Sequence, residues 1–449
     1  MAREKEICQP AAGASQGRRR LLAMSTAAAP LVDDPERLAT WRMRVFAATW
    51  LSYFGLYFCR KPYSIVKKDL GDANGWGADE LGTIYACYLV AYAMGQFLAG
   101  AFGQRLGPRT IVLTGMAVSI VANAAFGFTN SAPLFMVFMF CNGLAQATGW
   151  SANVGTMATW YHRQERGRVM GVWATNFQAG GVAANALAAW SLGAWGYQYA
   201  FFTGSVVLFV LWGFFIFNQR NRPEDVGLKP VEDPAPAEGQ SAAPVADGAA
   251  WPRAVIINLA LVSAFYFFLK SIRYAIWSWA PYLLQTHHKL SGADAGFAST
   301  AFDVAGIVGV IAIGFASDRL FAGRRAMVSF LFVLGLVGSC AMLYLAGPVS
   351  VTLFTISITL VGFTLYGPDA LMSGAGAIDV GSRDRAVLAA GVINGAGSVG
   401  TVIQELVLGK LLAKDDLGSA LALLFVSATA AAGCLGLILL RNRRGSADL

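Results

Sequence analysis

Four cations sit where an apolar chain can least tolerate them. In YFGLYFCRKPYS, Tyr53 to Ser64, Arg60 and Lys61 interrupt a segment otherwise greasy enough to cross a bilayer. In FYFFLKSIRYAIWSWAPYLL, Phe265 to Leu284, Lys270 and Arg273 do the same. A fixed charge at the centre of a membrane helix costs roughly 3 kcal/mol or more, so it persists where it faces protein or water and has a task there. Arginine presents a rigid fork of donors that meets phosphate oxygens two at a time. A pair of arginines in a low-dielectric cavity suits a phosphate dianion better than a carboxylate. The two segments are therefore expected to face each other across a central cavity and clamp an anion. Arg60 lies about 15 Å up a helix from Trp50, which is mid-bilayer if Trp50 marks the inner interface. If the helix begins at Val45, Arg60 lies nearer the outer face, and the bland alternative is a cation that snorkels to the interface. Two such arginines at matching places in two segments argue against snorkelling.

The elements that must hold these residues are membrane helices. The chain of 449 residues is 56% hydrophobic and 13% charged, against about 25% charged in a soluble domain. So much apolar surface is hidden only in lipid, and 50 glycines let membrane helices approach closely. A net charge of +8 would suit nucleic acid if it formed a face. Instead the cations fall between apolar runs, which is the positive-inside pattern and not a nucleic-acid surface. Of six cysteines, five lie inside apolar runs and read as small core residues, with neither a disulfide frame nor a zinc site.

Runs long enough to span are expected at 45–66, 81–103, 109–129, 132–158, 167–190 and 198–217, then at 253–284, 292–316, 326–346, 350–377, 386–410 and 416–440. This predicts an all-α membrane protein of twelve helices in two sets of six. The domains read as a tail over 1–44, a bundle over 45–217, a linker over 218–252, a bundle over 253–440 and a tail over 441–449. The linker, rich in Pro, Ala, Glu and Gly, reads as flexible, and the first ~40 residues as a disordered tail with no signal peptide; the true start is Met1 or Met24. Basic clusters at Arg105/Arg109, Arg163/Arg166/Arg168, Arg220/Arg222, Arg319/Arg324/Arg325, Arg383/Arg385 and Arg441/Arg443/Arg444 fall on alternate connections. The other side carries Lys67, Lys68, Lys289, Lys410 and Lys414, offset by acids. Both termini are thus expected in the cytoplasm.

The halves read as copies. GAFGQRLGPR, Gly100 to Arg109, follows the second span, and GFASDRLFAGRR, Gly314 to Arg325, follows the eighth. This G-x-x-x-D-R-x-x-x-x-R pattern resembles the hallmark of the major facilitator superfamily. The resemblance covers the whole chain and implies a cytoplasmic latch of Arg105, Arg109, Asp318 and Arg319. Gln104 stands where the acid of the first copy belongs, which leaves more of the latch to Asp318 and Arg319. Parallel repeats of this kind hold substrate near the midplane between halves. Within the superfamily, YFGLYFCRKPYS, SIRYAIWSWAPYL, NGLAQATGW and LYGPDAL resemble the organophosphate:phosphate antiporters. The resemblance implies that Arg60 and Arg273 hold phosphate, one from each half, with Lys61 and Lys270 adding charge. It also carries over Tyr53, Tyr57, Tyr92, Trp150 and Tyr366 as substrate contacts. Each of these aromatics could equally be packing or interface belt.

Buried charges need partners, so Lys61 or Lys270 is expected to pair with Asp303 or Asp369. Asp379 reads as a latch residue and Glu405 as an outward-facing structural acid. Departures from the family pattern fall near the site. Phe177, flanked by Asn176 and Gln178, stands where the glycerol-3-phosphate carrier has histidine. Gln96 replaces a lysine of several relatives, Ser278 an acid, and Lys270 a tyrosine. Ser278 opposite Lys61 would deprive that lysine of a partner, and specificity for glycerol 3-phosphate is not implied. His287-His288 reads as a solvated loop pair. GVINGAGSVG, Gly391 to Gly400, lies in a membrane span without the strand that a dinucleotide fingerprint needs, and no Walker loop or nucleophile constellation is present.

The expectation is a non-enzymatic, cofactor-free secondary antiporter of the bacterial inner membrane. It acts as a monomer and exchanges a phosphorylated metabolite for inorganic phosphate. The alternative of another class is a sugar-phosphate sensor signalling to a two-component kinase; a proton-coupled carrier using Asp303 and Asp369 is a third.

Overall fold

The computed structural model describes residues 31–231, 253–320, 325–373 and 375–443. The side chains of Arg105, Asp318, Asp379, Arg383 and Arg385 lie outside that description. The described residues form fifteen α-helices that assemble into twelve rods. The first rod is α1 (Pro35–Leu56) and α2 (Pro62–Asn74) with a 3-10 turn between them (Tyr57–Cys59). The second and third are α3 (Ala78–Leu106) and α4 (Pro108–Phe126). The fourth is α5 (Ala132–Gln146) with α6 (Thr148–Trp160). The fifth is α7 (Arg163–Trp173) with α8 (Asn176–Trp195), and the sixth is α9 (Tyr197–Asn218). The second half repeats the plan with α10 (Arg253–Thr286), α11 (Gly292–Phe315), α12 (Arg325–Ala346), α13 (Val351–Ser373), α14 (Ala375–Ala413) and α15 (Leu417–Arg443).

By length and hydropathy, nine helical stretches among the described residues can cross a membrane. The first, second and fifth rods fall short of that test. They are broken or more polar, and all three carry residues of the central cluster described below. An even number of rods puts both ends of the bundle on one side, here called the tail side.

The expected tail and linker begin and end elsewhere. Helix α1 starts at Pro35, and the Asp34 side chain accepts from Arg37 N at 3.0 Å. Ahead of it, Val32 bridges to Leu228, and Arg37 donates to the Val226 carbonyl at 2.8 Å. Residues 31–44 and 218–231 are therefore ordered and clasp each other. The contact is non-local, so local composition gave no sign of it. The rest of the expected tail and linker lies outside the described residues.

The two halves meet on the side away from the tails. There α3 packs on α14, α11 on α8, and α2 on α10 and α11. A Cβ on Gly82 would stand 3.2 Å from the Gly409 backbone, and one on Gly296 would stand 2.7 Å from Ala189. No comparable packing joins α6 or α7 to the second half among the described residues. The space between the halves is therefore closed on the far side and open toward the tails.

Candidate functional site

The break in the first rod comes from Pro62. Proline has no N–H and its ring crowds the carbonyl four residues back. Arg60 and Lys61 N both turn to the Tyr57 carbonyl. This frees the carbonyls of Leu56 and Cys59, and the fourth rod takes them. Gln146 donates to Leu56 O at 2.9 Å, and Asn142 donates to Cys59 O at 2.8 Å. Phe58 O faces the sixth rod at Gly204, where a Cβ would stand 2.1 Å away, so only glycine admits this approach. Gln146 also accepts from Arg60 Nε at 3.1 Å, and Ser119 joins Gln146 to Asn142. One network thus holds both the break and the guanidinium. Gln146 and Asn142 had not been singled out, although both lie within the NGLAQATGW motif.

The Arg60 guanidinium stacks over Tyr57 at 4.8 Å and Tyr92 at 4.9 Å. Its Nη2 is buried and has no hydrogen-bond partner among the described residues. A buried, unpaired donor nitrogen on a cation is expensive, and it gives this side chain a free donor for an anion. Tyr53 packs edge-on against Trp150 at 5.2 Å. Trp150 is 39% exposed, the most open of the expected aromatics.

Across the cavity, Asp303 gathers four rods. Its Oδ2 accepts from Lys61 at 3.0 Å and from Asn185 at 3.2 Å. Its Oδ1 accepts from Trp277 at 2.5 Å and from the Tyr366 hydroxyl at 2.6 Å. Tyr366 therefore serves Asp303 in this state. The expected pairing is found for Lys61 and corrected for the rest: Asp369 pairs with Arg273, not with a lysine. Arg273 lies over Trp277 at 5.4 Å, and Trp277 meets Tyr57 edge-on at 6.0 Å. Tyr57 and Trp277 thus stand between the two arginines. Lys270, 6% exposed, donates to Ser398 at 3.2 Å and has no carboxylate partner among the described residues.

Glu405 and Lys67 overturn their readings. Glu405 is wholly buried, not outward-facing, and Lys67 is not a loop cation. They pair at 2.8 Å, joining α14 to α2 across the halves on the closed side. Lys67 also lies 3.6 Å over the Trp279 ring. Ser278 bonds to both, so it faces Lys67 and not Lys61, and Lys61 keeps an acid after all. Six residues, somewhat under two helical turns, separate Lys61 from Lys67 and turn them to different partners, which spacing alone did not assign.

Of the expected latch, Arg109 binds within its own half, donating to Ile216 O at 2.6 Å, and Arg319 is exposed over the Phe315 ring at 4.8 Å. Arg105 and Asp318 lie outside the described side chains. In the far-side loop, His287 and His288 meet edge-on, and partial burial beside His287 holds the His288 imidazole below its usual pKa.

Known proteins match this arrangement along most of the chain. The family model described as Major Facilitator Superfamily covers residues 46–404. A protein named glycerol-3-phosphate transporter from Bacillus subtilis is 28% identical, over 82% of this chain and 86% of its own. One named probable hexose phosphate transport protein, from Chlamydia trachomatis, is 27% identical over 85% and 88%. Human sugar phosphate exchanger 3 is 28% identical over 83% and 87%. Among solved structures, a bacterial homologue of the human lysosomal transporter Spinster, inward-facing and occupied, superposes with a TM-score of 0.70 at 11% identity. That match covers 90% of this chain and 97% of that one, a likeness of fold alone. Twelve rods in two six-helix repeats, with charges from both repeats meeting in one cavity and a family match along most of the sequence, make the chain a member of the Major Facilitator Superfamily.

Proposed function

We propose that the chain exchanges a phosphorylated metabolite, of the sugar phosphate or glycerol phosphate class, for inorganic phosphate by alternating access. The observation that carries this is the convergence of Arg60 and Arg273 on one cavity from different halves, with a donor nitrogen of Arg60 left free. Relatives named for glycerol phosphate, hexose phosphate and sugar phosphate transport support the substrate class. Arg60 and Arg273 meet the phosphoryl group, and Tyr57, Tyr92 and Trp277 line its bed. Tyr53 and Trp150 lie toward the organic end. The halves, on either side of the linker at 218–252, rock about this site in a cytoplasmic membrane with both termini inside. No nucleotide is needed, because phosphate returning along its gradient drives uptake.

Proteoliposomes loaded with labelled phosphate test the reading. External phosphorylated metabolites are expected to accelerate release of label, and the same sugars without phosphate are not. Tight binding of a sugar phosphate with no counterflow would replace exchange by sensing. Absence of both would end the proposal. Gln146→Leu, which removes the oxygen that orients Arg60, is expected to raise the half-saturation for phosphate about tenfold, by leaving a buried donor unpaired. An unchanged value in a folded variant would show that Arg60 does not depend on Gln146.

A further inference from the structure

The central cluster holds four cations and two carboxylates. Lys61 is neutralised by Asp303 and Arg273 by Asp369. Among the described residues, the two remaining charges belong to Arg60, whose only hydrogen-bonded side chain is neutral Gln146, and to Lys270, whose only one is the hydroxyl of Ser398. Uncompensated charge in a low-dielectric interior is costly, so a surplus of two is a feature the fold supports for a reason. Building on the phosphate reading above, we propose that Arg60 and Lys270 form the receiving pair for the anion. In this proposal their surplus of two charges selects doubly charged phosphate monoesters over singly charged anions of the same shape.

Lys270 is placed for this by its neighbours. Its stem runs beside Gly397 of α14, where a Cβ would stand 2.8 Å from Lys270 Cδ and 2.6 Å from the Tyr266 ring. Any larger residue there would displace the lysine. The groups that face its ammonium are Tyr266, Arg273 and Tyr274 of its own helix, Ser398 of α14, Tyr92 of α3, Arg60 of the first rod and Asp369 of α13. Tyr92 lies against Arg60 and within coulombic reach of Lys270, so it marks the span between the two cations. Asp369 is already engaged by Arg273, which leaves Lys270 without a counter-ion of its own. An arriving dianion completes the charge balance, and Arg273 joins it as Asp369 releases.

The test compares n-propyl phosphate with n-propyl sulfate as inhibitors of phosphate exchange in proteoliposomes. At about pH 7 the phosphate ester carries mostly two charges, since its second ionisation lies near pH 6, and the sulfate ester carries one. The unaltered protein is expected to favour the phosphate ester strongly. Lys270→Gln is expected to shrink that preference about tenfold, the scale of one hydrogen bond to a charged group, and Lys270→Arg is expected to keep it. If Lys270→Gln no longer exchanges phosphate, calorimetric binding of the same two esters to the purified protein supplies the ratio. A ratio unchanged in Lys270→Gln, or lost equally in Lys270→Arg, overturns the proposal while leaving phosphate exchange standing. Failure of the unaltered protein to exchange phosphate removes the reading beneath it.

Discussion

Arg60→Lys is expected to reduce phosphate exchange by about 100-fold or more, with the protein still folded. The charge is conserved, so a purely electrostatic role would survive the change. What is lost is geometry. The guanidinium uses Nε on Gln146 and keeps Nη2 free while its plane lies between Tyr57 and Tyr92. Lysine has a single nitrogen, which cannot bond Gln146 and reach an anion in a fixed orientation at once. Two charge-assisted hydrogen bonds of about 1.5–3 kcal/mol each are then at stake. Exchange in proteoliposomes with matched protein content measures this. Activity within a few-fold of the unaltered protein would show that Arg60 acts as a point charge or not at all.

The second large effect lies on the closed side. Lys67→Met alone strands Glu405 in the interior, and Glu405→Leu alone strands Lys67. Removing one member of a buried pair costs about 3–5 kcal/mol, whereas replacing both by apolar side chains is often neutral. Chemical unfolding in detergent is expected to show two destabilised single variants and a double variant near the unaltered protein. Simple addition of the single effects would mean that the pair is not coupled. The double variant also loses the contact by which α2 and α14 hold the halves together on that side. Its resting state is expected to shift toward opening there, seen as faster labelling of a cysteine placed at Ile65, which is buried against Gly296 of the other half.

Much of the site was legible because it is expensive. Arg60, Lys61, Lys270 and Arg273 stand out against apolar neighbours, and Asp303 and Asp369 are the acids near enough in the spans to answer them. Which acid meets which cation was not legible. It depends on helix rotation and on the separation of the halves, and sequence spacing fixes neither. The same gap hid Lys67 and Glu405. A lysine a turn or two from a helix end reads as a loop charge until the opposing helix supplies its carboxylate. Twelve rods followed from apolar runs punctuated by charge, proline and glycine, whereas the clasp of residues 31–44 on 218–231 rests on pairings almost two hundred positions apart. Gln146 and Asn142 escaped notice because neutral amides carry no obvious cost until a broken helix leaves carbonyls for them to satisfy.

Asp303 has one more implication. A single carboxylate takes Lys61, Asn185, Trp277 and Tyr366 from four rods, two in each half. Groups that share one acceptor do not act independently. Losing any one of them redistributes the carboxylate among the remaining three, so their separate substitutions cannot be summed. In inheritance as in mutagenesis, these five positions, Asp303 and its four donors, behave as one character, and a viable change at one is expected to travel with changes at the others.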